Sequence, residues 1–122
     1  MLFKAFLQLS CQLVDTPFGK VSIDEREIEF HTSEKVWLLS SKIYSNQSIP
    51  ASMTGLLTQT SLNKWGVKGA QFRYNKKDNS ISLVQKSPPL SNFVNFKSSI
   101  DLFIKLVEEW ERAVLALDPT FA

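Results

Sequence analysis

The chain has 122 residues, a net charge of +2 and 43% apolar residues, which predicts a single domain over residues 1–122 with its own hydrophobic core. One cysteine, Cys11, rules out an intramolecular disulfide and fits a reducing cytoplasm, and one histidine, His31, leaves no metal-ligand set of the usual kinds. The charge is too small and too scattered for a nucleic-acid footprint, and no apolar run approaches the roughly 18 residues of a membrane span.

The first predicted element is an amphipathic helix over residues 2–14. An acidic residue, Asp15, follows it, and the apolar run is short, so we interpret it as a helix and not as a signal peptide. Its face either packs on the core or offers partly exposed aromatic side chains to a partner, and the sequence leaves both open. The apolar positions at helical spacing are Leu2, Phe6, Leu9 and Leu13, with Phe3, Leu7 and Val14 beside them.

From Lys20 to Tyr44 the apolar period changes to two, which predicts three strands in a meander. The charged segment 24–27 is predicted to form the turn between the first two strands. The continuous apolar run 36–39 is typical of a strand that is central in a sheet or covered on both faces. The alternating apolar residues of the first two strands are Val21, Ile23, Ile28 and Phe30.

A central helix is predicted to begin near Pro50, with Ser48 or Ser52 as its N-cap. Gly55 and five Ser or Thr residues within 52–61 make this a weak helix by itself. Packing within the chain or self-association must therefore stabilise it, and the sequence leaves both open. One face of the helix carries Ile49, Met53, Leu56, Leu57 and Thr60.

A second hairpin and a last helix complete the chain. The hairpin turns at residues 75–79, and the helix is predicted to have Ser98 or Ser99 as its N-cap and Asp101 in its first turn. Glu108, Glu109 and Glu111 are interpreted as a solvated face. The hairpin alternates Phe72, Tyr74, Ile81 and Leu83, and the helix repeats Ile100, Phe103, Ile104, Val107, Trp110, Val114 and Leu117 before Asp118 and Pro119 end it.

No residues form a recognisable catalytic set. Gly66 and Gly69 lack the flanking residues of a phosphate-binding loop, and the basic and aromatic residues from Lys64 to Phe72 make too small a patch for nucleic acid. Nine phenylalanines and three tryptophans exceed what a core of this size needs, and surplus aromatic residues are typical of binding surfaces. We therefore expect a binding protein without catalytic residues, cofactor or metal.

The order helix, three strands, helix, two strands, helix defines an α+β fold with an antiparallel sheet packed against helices. Together with the segments LLTQTSLNKW, GAQFRYNKKDNSISLVQK and SSIDLFIKLVEEWERAVLAL, this order resembles the class I type III secretion chaperones (the CesT/SycE-like family). The resemblance covers nearly the whole chain and lies in residue type and spacing. Members of that family are usually acidic, whereas this chain is mildly basic.

The resemblance implies a dimeric, non-enzymatic protein of the bacterial cytoplasm that serves protein transport and virulence. Such a chaperone binds the N-terminal segment of a secreted effector and keeps it soluble, partly unfolded and competent for the secretion ATPase. The dimer is formed with a second copy or with a related chaperone. The implied dimer interface contains Met53, Leu56, Leu57, Thr60 and Trp65, and the implied effector-binding residues are Phe3, Phe6, Val21, Ile23, Val36, Leu38, Phe72 and Ile81.

Two other interpretations stay open. One is a YbjN-like domain of the same general fold, with a regulatory and protein-binding role. The other is a small enzyme or a nucleic-acid-binding protein. A YbjN-like domain would bind a partner other than a secreted protein. An enzyme or a nucleic-acid-binding protein would have different side-chain chemistry on its surface.

Overall fold

The computed structural model describes residues 2–45 and 70–117, without the side chains of residue 70 and residues 115–117. The predicted central helix, with the proposed interface residues Met53 to Trp65, lies outside these ranges. The elements in chain order are α1 (Leu2–Gln12), β1 (Phe18–Ile23), β2 (Arg26–Thr32), β3 (Trp37–Ser45), β4 (Ala70–Asn75), β5 (Ser80–Ser87) and α2 (Phe93–Leu117).

All five strands pair antiparallel in one sheet, in the order β1-β2-β3-β5-β4. The strand with the continuous apolar run, β3, is the middle one, as predicted. The register between β3 and β5 shifts between Lys42 and Tyr44, so that Ile43 and Tyr44 are both buried although they are neighbours. Strands β1 and β4 form the two edges of this sheet.

The turn between β1 and β2 is shorter than predicted. Asp24 and Glu25 have φ values of 52° and 66°, the positive values that a two-residue hairpin turn of type I′ requires at both positions. Arg26 and Glu27, which the charge pattern assigned to the turn, belong to β2 and pair with Ile23 and Ser22.

The hydrophobic core lies between one face of the sheet and the two helices. Val21, Ile28 and Leu39 lie on this face at alternate positions of their strands and are at most 4% exposed. Helix α1 covers β1, and α2 covers β3 and β5. The buried residues that the helices contribute are Ala5, Leu9, Phe96, Ile100, Phe103, Val107 and Val114.

Helix α2 begins earlier than predicted. Its N-cap is Asn92, whose side-chain Oδ1 accepts a hydrogen bond from the Asn95 N–H at 2.9 Å. Ser98 and Ser99 lie inside the helix and Asp101 lies beyond its first turn, so the predicted start was wrong. Phe93 and Phe96 continue the apolar stripe toward the N-terminus, and their burial stabilises the additional turns.

Candidate protein-binding surface

Exposed and half-buried aromatic side chains gather where α1 meets the first turn of α2. Phe3 is 54% exposed, and its ring packs edge-to-face on Phe93, with centroids 5.2 Å apart. Phe6 contacts the same ring at 5.8 Å. Leu7, 49% exposed, lies one helical turn from Phe3 on the same face of α1. We call Phe3, Phe6, Leu7 and Phe93 the apolar patch.

The apolar patch is anchored in the core through further aromatic contacts. Phe6 lies 5.2 Å from the buried ring of Phe96, and Phe96 stacks on Phe30 at 6.0 Å. Phe30 in turn meets Trp37 at the start of β3, at 6.3 Å. Because the fully buried ring of Phe96 packs against Phe6, the Phe6 side chain has less conformational freedom to lose on binding.

The structure does not bring the eight predicted effector-binding residues together on one surface. Val21, Ile23 and Ile81 are buried in the core. Phe72 is half-buried, and its ring packs edge-to-face on Trp110 at 5.0 Å. Side chains alternate between the two faces of a strand, and these four lie on the face that the helices cover.

The other four predicted residues reach the surface to different extents. Phe3 and Phe6 belong to the apolar patch. Val36 is exposed just before β3, and Leu38 is half-buried on the face of the sheet opposite the core. Periodicity distinguishes the two faces of a strand, but it does not show which face another element covers.

Several surface residues were not predicted as binding residues. Leu7 and Phe93 complete the apolar patch, and Val94 and Leu102 are exposed on α2 at 72% and 66%. Phe93 lies in the turn of α2 that the predicted helix omitted. Extending the helical apolar period backwards from Ile100 to Phe96 and Phe93 would have included it.

The face of the sheet opposite α1 and α2 carries a polar hollow of about 400 Å³. Lys42 Nζ lies 2.8 Å from Asp78 Oδ2, and Ser80 Oγ donates to Asp78 Oδ1 at 2.6 Å. The hydrogen bond to Asp78 raises the pKa of Lys42. Hydrogen bonds from Lys42 and Ser80 lower the pKa of Asp78. Both groups are therefore held in their charged forms. The other lining residues are Glu25, Arg26, Glu27, Glu29, Ser40, Ser41, Arg73, Asn75 and Ser82.

One ion pair ties the sheet to α2. The guanidinium of Arg26 donates two hydrogen bonds to the Glu111 carboxylate, at 3.1 and 3.0 Å. These bonds raise the pKa of Arg26 above its ordinary value. Glu111 therefore has a structural partner. The prediction that it lies on a solvated face was wrong for this residue.

Within residues 2–45 and 70–117, no group of three or more His, Cys, Asp or Glu residues is arranged to hold a metal ion. Cys11 is exposed on α1, and His31 lies in β2, where its ring packs against Phe18 at 4.8 Å. In the same part of the chain, no helix combines the length and the apolar character that a membrane span requires.

No protein-family model and no curated protein matches this chain. Solved structures do match it. A chain in the crystal structure of the ExsC–ExsE complex matches over 80% of this chain and 75% of the solved chain, with 14% identity and a TM-score of 0.64. The HopA1–SchA chaperone–effector complex matches over 92% of this chain and 91% of the solved chain, with 18% identity and a TM-score of 0.56.

A third match is the structure of the Yersinia pestis type III secretion chaperone SycH with a stable fragment of YscM2. It covers 89% of this chain and 98% of the solved chain, with 11% identity and a TM-score of 0.54. These structural neighbours thus include a type III secretion chaperone and a chaperone–effector complex. The chain has their α+β fold, with an N-terminal helix, a five-stranded antiparallel sheet and a C-terminal helix.

Proposed function

We propose that this chain, which has the fold of type III secretion chaperones, binds the N-terminal segment of a secreted effector in the bacterial cytoplasm. The bound segment stays soluble, partly unfolded and competent for the secretion ATPase. The observation that carries the proposal is the apolar patch of Phe3, Phe6, Leu7 and Phe93, displayed on a fold that occurs in solved chaperone–partner complexes. The activity is binding, without a catalytic step.

The apolar patch suits an unfolded segment because each apolar side chain of the segment that is buried there contributes separately to the binding free energy. Burying one Phe or Leu side chain contributes roughly 1.5–3 kcal/mol. An unfolded segment loses conformational freedom when it binds, and several such contacts are needed to offset that loss. Rings that the core holds in place, as Phe96 holds Phe6, add no ordering cost of their own.

The rest of the binding path is proposed to follow the sheet. Val36 and Leu38 provide further apolar surface at and beside β3, and the edges at β1 and β4 can receive an extended segment as an additional strand. Four predicted residues are proposed to support this path from the core side of the sheet, where their side chains pack: Val21, Ile23, Phe72 and Ile81. The dimer, with a second copy or a related chaperone, is proposed to form through Met53, Leu56, Leu57, Thr60 and Trp65.

The function is tested by co-expressing the chain with the product of a neighbouring gene that encodes a secreted protein. We expect a stable complex in which the N-terminal segment of that protein resists protease. The double variant Phe3→Asp with Leu7→Asp should weaken the complex at least tenfold, because it places two charges in the apolar patch. Leu102→Asp is the control, since Leu102 is an exposed leucine outside the patch, with 66% of its surface accessible against 49% for Leu7.

Other outcomes point to other functions. If no secreted protein forms a complex, the YbjN-like regulatory interpretation is favoured. Tight, salt-sensitive binding to single-stranded nucleic acid would favour a nucleic-acid-binding protein instead. If Leu102→Asp weakens the complex as much as the double variant, the partner does not bind at the apolar patch.

A further inference from the structure

Helix α1 approaches the edge strand β1 very closely at Gly19. A Cβ atom at this position would collide with the Leu9 side chain, and it would lie 3.1 Å from Gln12 Oε1. The missing side chain therefore lets the C-terminal end of α1 lie directly against β1. As a result, the last residue of the helix, Gln12, can reach the backbone at the edge of the sheet.

The Gln12 carboxamide forms hydrogen bonds to both backbone polar groups of Lys20. Its Oε1 accepts from the Lys20 N–H at 2.6 Å, and its Nε2 donates to the Lys20 carbonyl oxygen at 2.9 Å. In an antiparallel ladder, a residue directs both of its backbone groups toward the same side. Lys20 therefore turns both groups away from β2, toward the outer edge of the sheet.

A carboxamide carries the same donor and acceptor as a peptide group. At Lys20, Gln12 supplies the bonds that one residue of a neighbouring strand would supply. The backbone groups of Phe18, the next residue that faces the outer edge, also bond to a side chain. The Thr16 hydroxyl donates to the Phe18 carbonyl oxygen at 2.8 Å and accepts from the Phe18 N–H at 3.4 Å. Side chains thus occupy two successive strand-pairing positions of the β1 edge.

We propose that the Gln12 carboxamide is a place-holder at the β1 edge, one of the edges where the proposed function lets an extended peptide segment add, and that it leaves when the segment adds as a strand. The occupant is a peptide strand because the group that now fills the edge is itself an amide in strand-pairing geometry. That the strand comes from a secreted protein rests on the proposed function, whereas the bonds at Lys20 belong to this chain alone.

The place-holder can leave at low cost. Gln12 and Lys20 are both exposed, so water can replace the lost bonds, and Gln12 can rotate away without moving α1. An added strand offers a run of ladder bonds in place of two. Until then, the place-holder blocks edge-to-edge pairing between copies of the chain, a hazard of open strand edges.

The first measurement is hydrogen exchange of the Lys20 amide, which needs no partner. In Gln12→Ala this amide should exchange about tenfold faster than in the wild-type protein, because it loses its acceptor. Gln8→Ala is the matched control, since it removes the exposed glutamine one turn earlier in α1. Unchanged exchange of Lys20 in Gln12→Ala would overturn the proposal.

The second measurement is a titration with the synthetic peptide REIEFHT, the sequence of β2, which is the strand that already pairs with β1. Gln12→Ala should bind this peptide about tenfold more tightly than the wild-type protein does, with chemical-shift changes at Phe18 to Ser22. Gln12→Met, which keeps the side-chain length, should behave like Gln12→Ala. Gln8→Ala should behave like the wild type.

The proposal is overturned if the wild type and the three variants bind the peptide with equal affinity, or if none of them binds it. Peptide-free dimerisation of Gln12→Ala through β1 also overturns it, because it would assign the edge to a second copy. The two proposals fail separately. Faster Lys20 exchange and tighter peptide binding without capture of any secreted protein would remove the proposed function and keep the place-holder.

Discussion

At the scale of single residues, the contact between Arg26 and Glu111 joins parts of the chain that are 85 positions apart. The two side chains are 20% and 35% exposed, so the pair is less screened than an ion pair on the open surface. Its two parallel hydrogen bonds fix the orientation of α2 relative to the turn between β1 and β2. A lysine could supply the charge but not this forked geometry.

Replacing Arg26 by lysine should therefore lower the free energy of unfolding, by about 1 kcal/mol, because one of the two hydrogen bonds is lost. Denaturant titration followed by circular dichroism measures the change. Lys42→Ala is the control, since it breaks the open ion pair with Asp78 and should leave the unfolding midpoint essentially unchanged. Equal losses in both variants would show that the forked contact has no special role.

At the scale of elements, the start of α2 shows how packing and capping act together. Asn92 supplies the cap, and Phe93 and Phe96 supply the apolar contacts that extend the helix toward α1. Both contributions lie outside the segment that the sequence pattern identified as helical. The additional turn also carries Phe93 into the apolar patch, so the helix start determines part of the candidate site.

The variant Asn92→Ala should lower the free energy of unfolding by about 1 kcal/mol, because the Asn95 N–H loses its acceptor. Thermal unfolding of Asn92→Ala, Asn95→Ala and Ser98→Ala compares the cap with two positions inside the helix. The latter two should be neutral or slightly stabilising, since alanine is the better helix former. A loss in Ser98→Ala alone would place the functional cap where the sequence pattern put it.

At the scale of the whole molecule, the fold and the proposed function depend on which surfaces α1 and α2 cover. The helices cover one face of the sheet, while the other face carries the polar hollow. Of the eight large apolar side chains exposed among the described residues, four lie on α1 and α2: Phe3, Leu7, Val94 and Leu102. We propose that a second subunit contacts the predicted central helix, since that sequence has low helix propensity and needs external packing.

The variant Leu57→Asp should convert the proposed dimer into a monomer or an aggregate, because it would place a charge in an apolar interface. Light scattering with size-exclusion chromatography measures the mass, and Leu102→Asp on α2 is the control. A dimer that survives Leu57→Asp would remove the central helix from the interface. A wild-type protein that is monomeric would contradict the dimer itself.

The sequence by itself determined the described elements, because an apolar period of two or of 3.6 residues depends only on local order along the chain. It identified the meander, the second hairpin and the two terminal helices, and it indicated that β3 is either central or covered on both faces. Only the tertiary structure decided which apolar residues are accessible: Val21 and Ile81 are buried, whereas Phe3 is exposed. Alternation defines two faces of a strand, and only the packed helices select the covered one. The bonds of Gln12 to Lys20 and of Arg26 to Glu111 likewise depend on distant segments meeting in space.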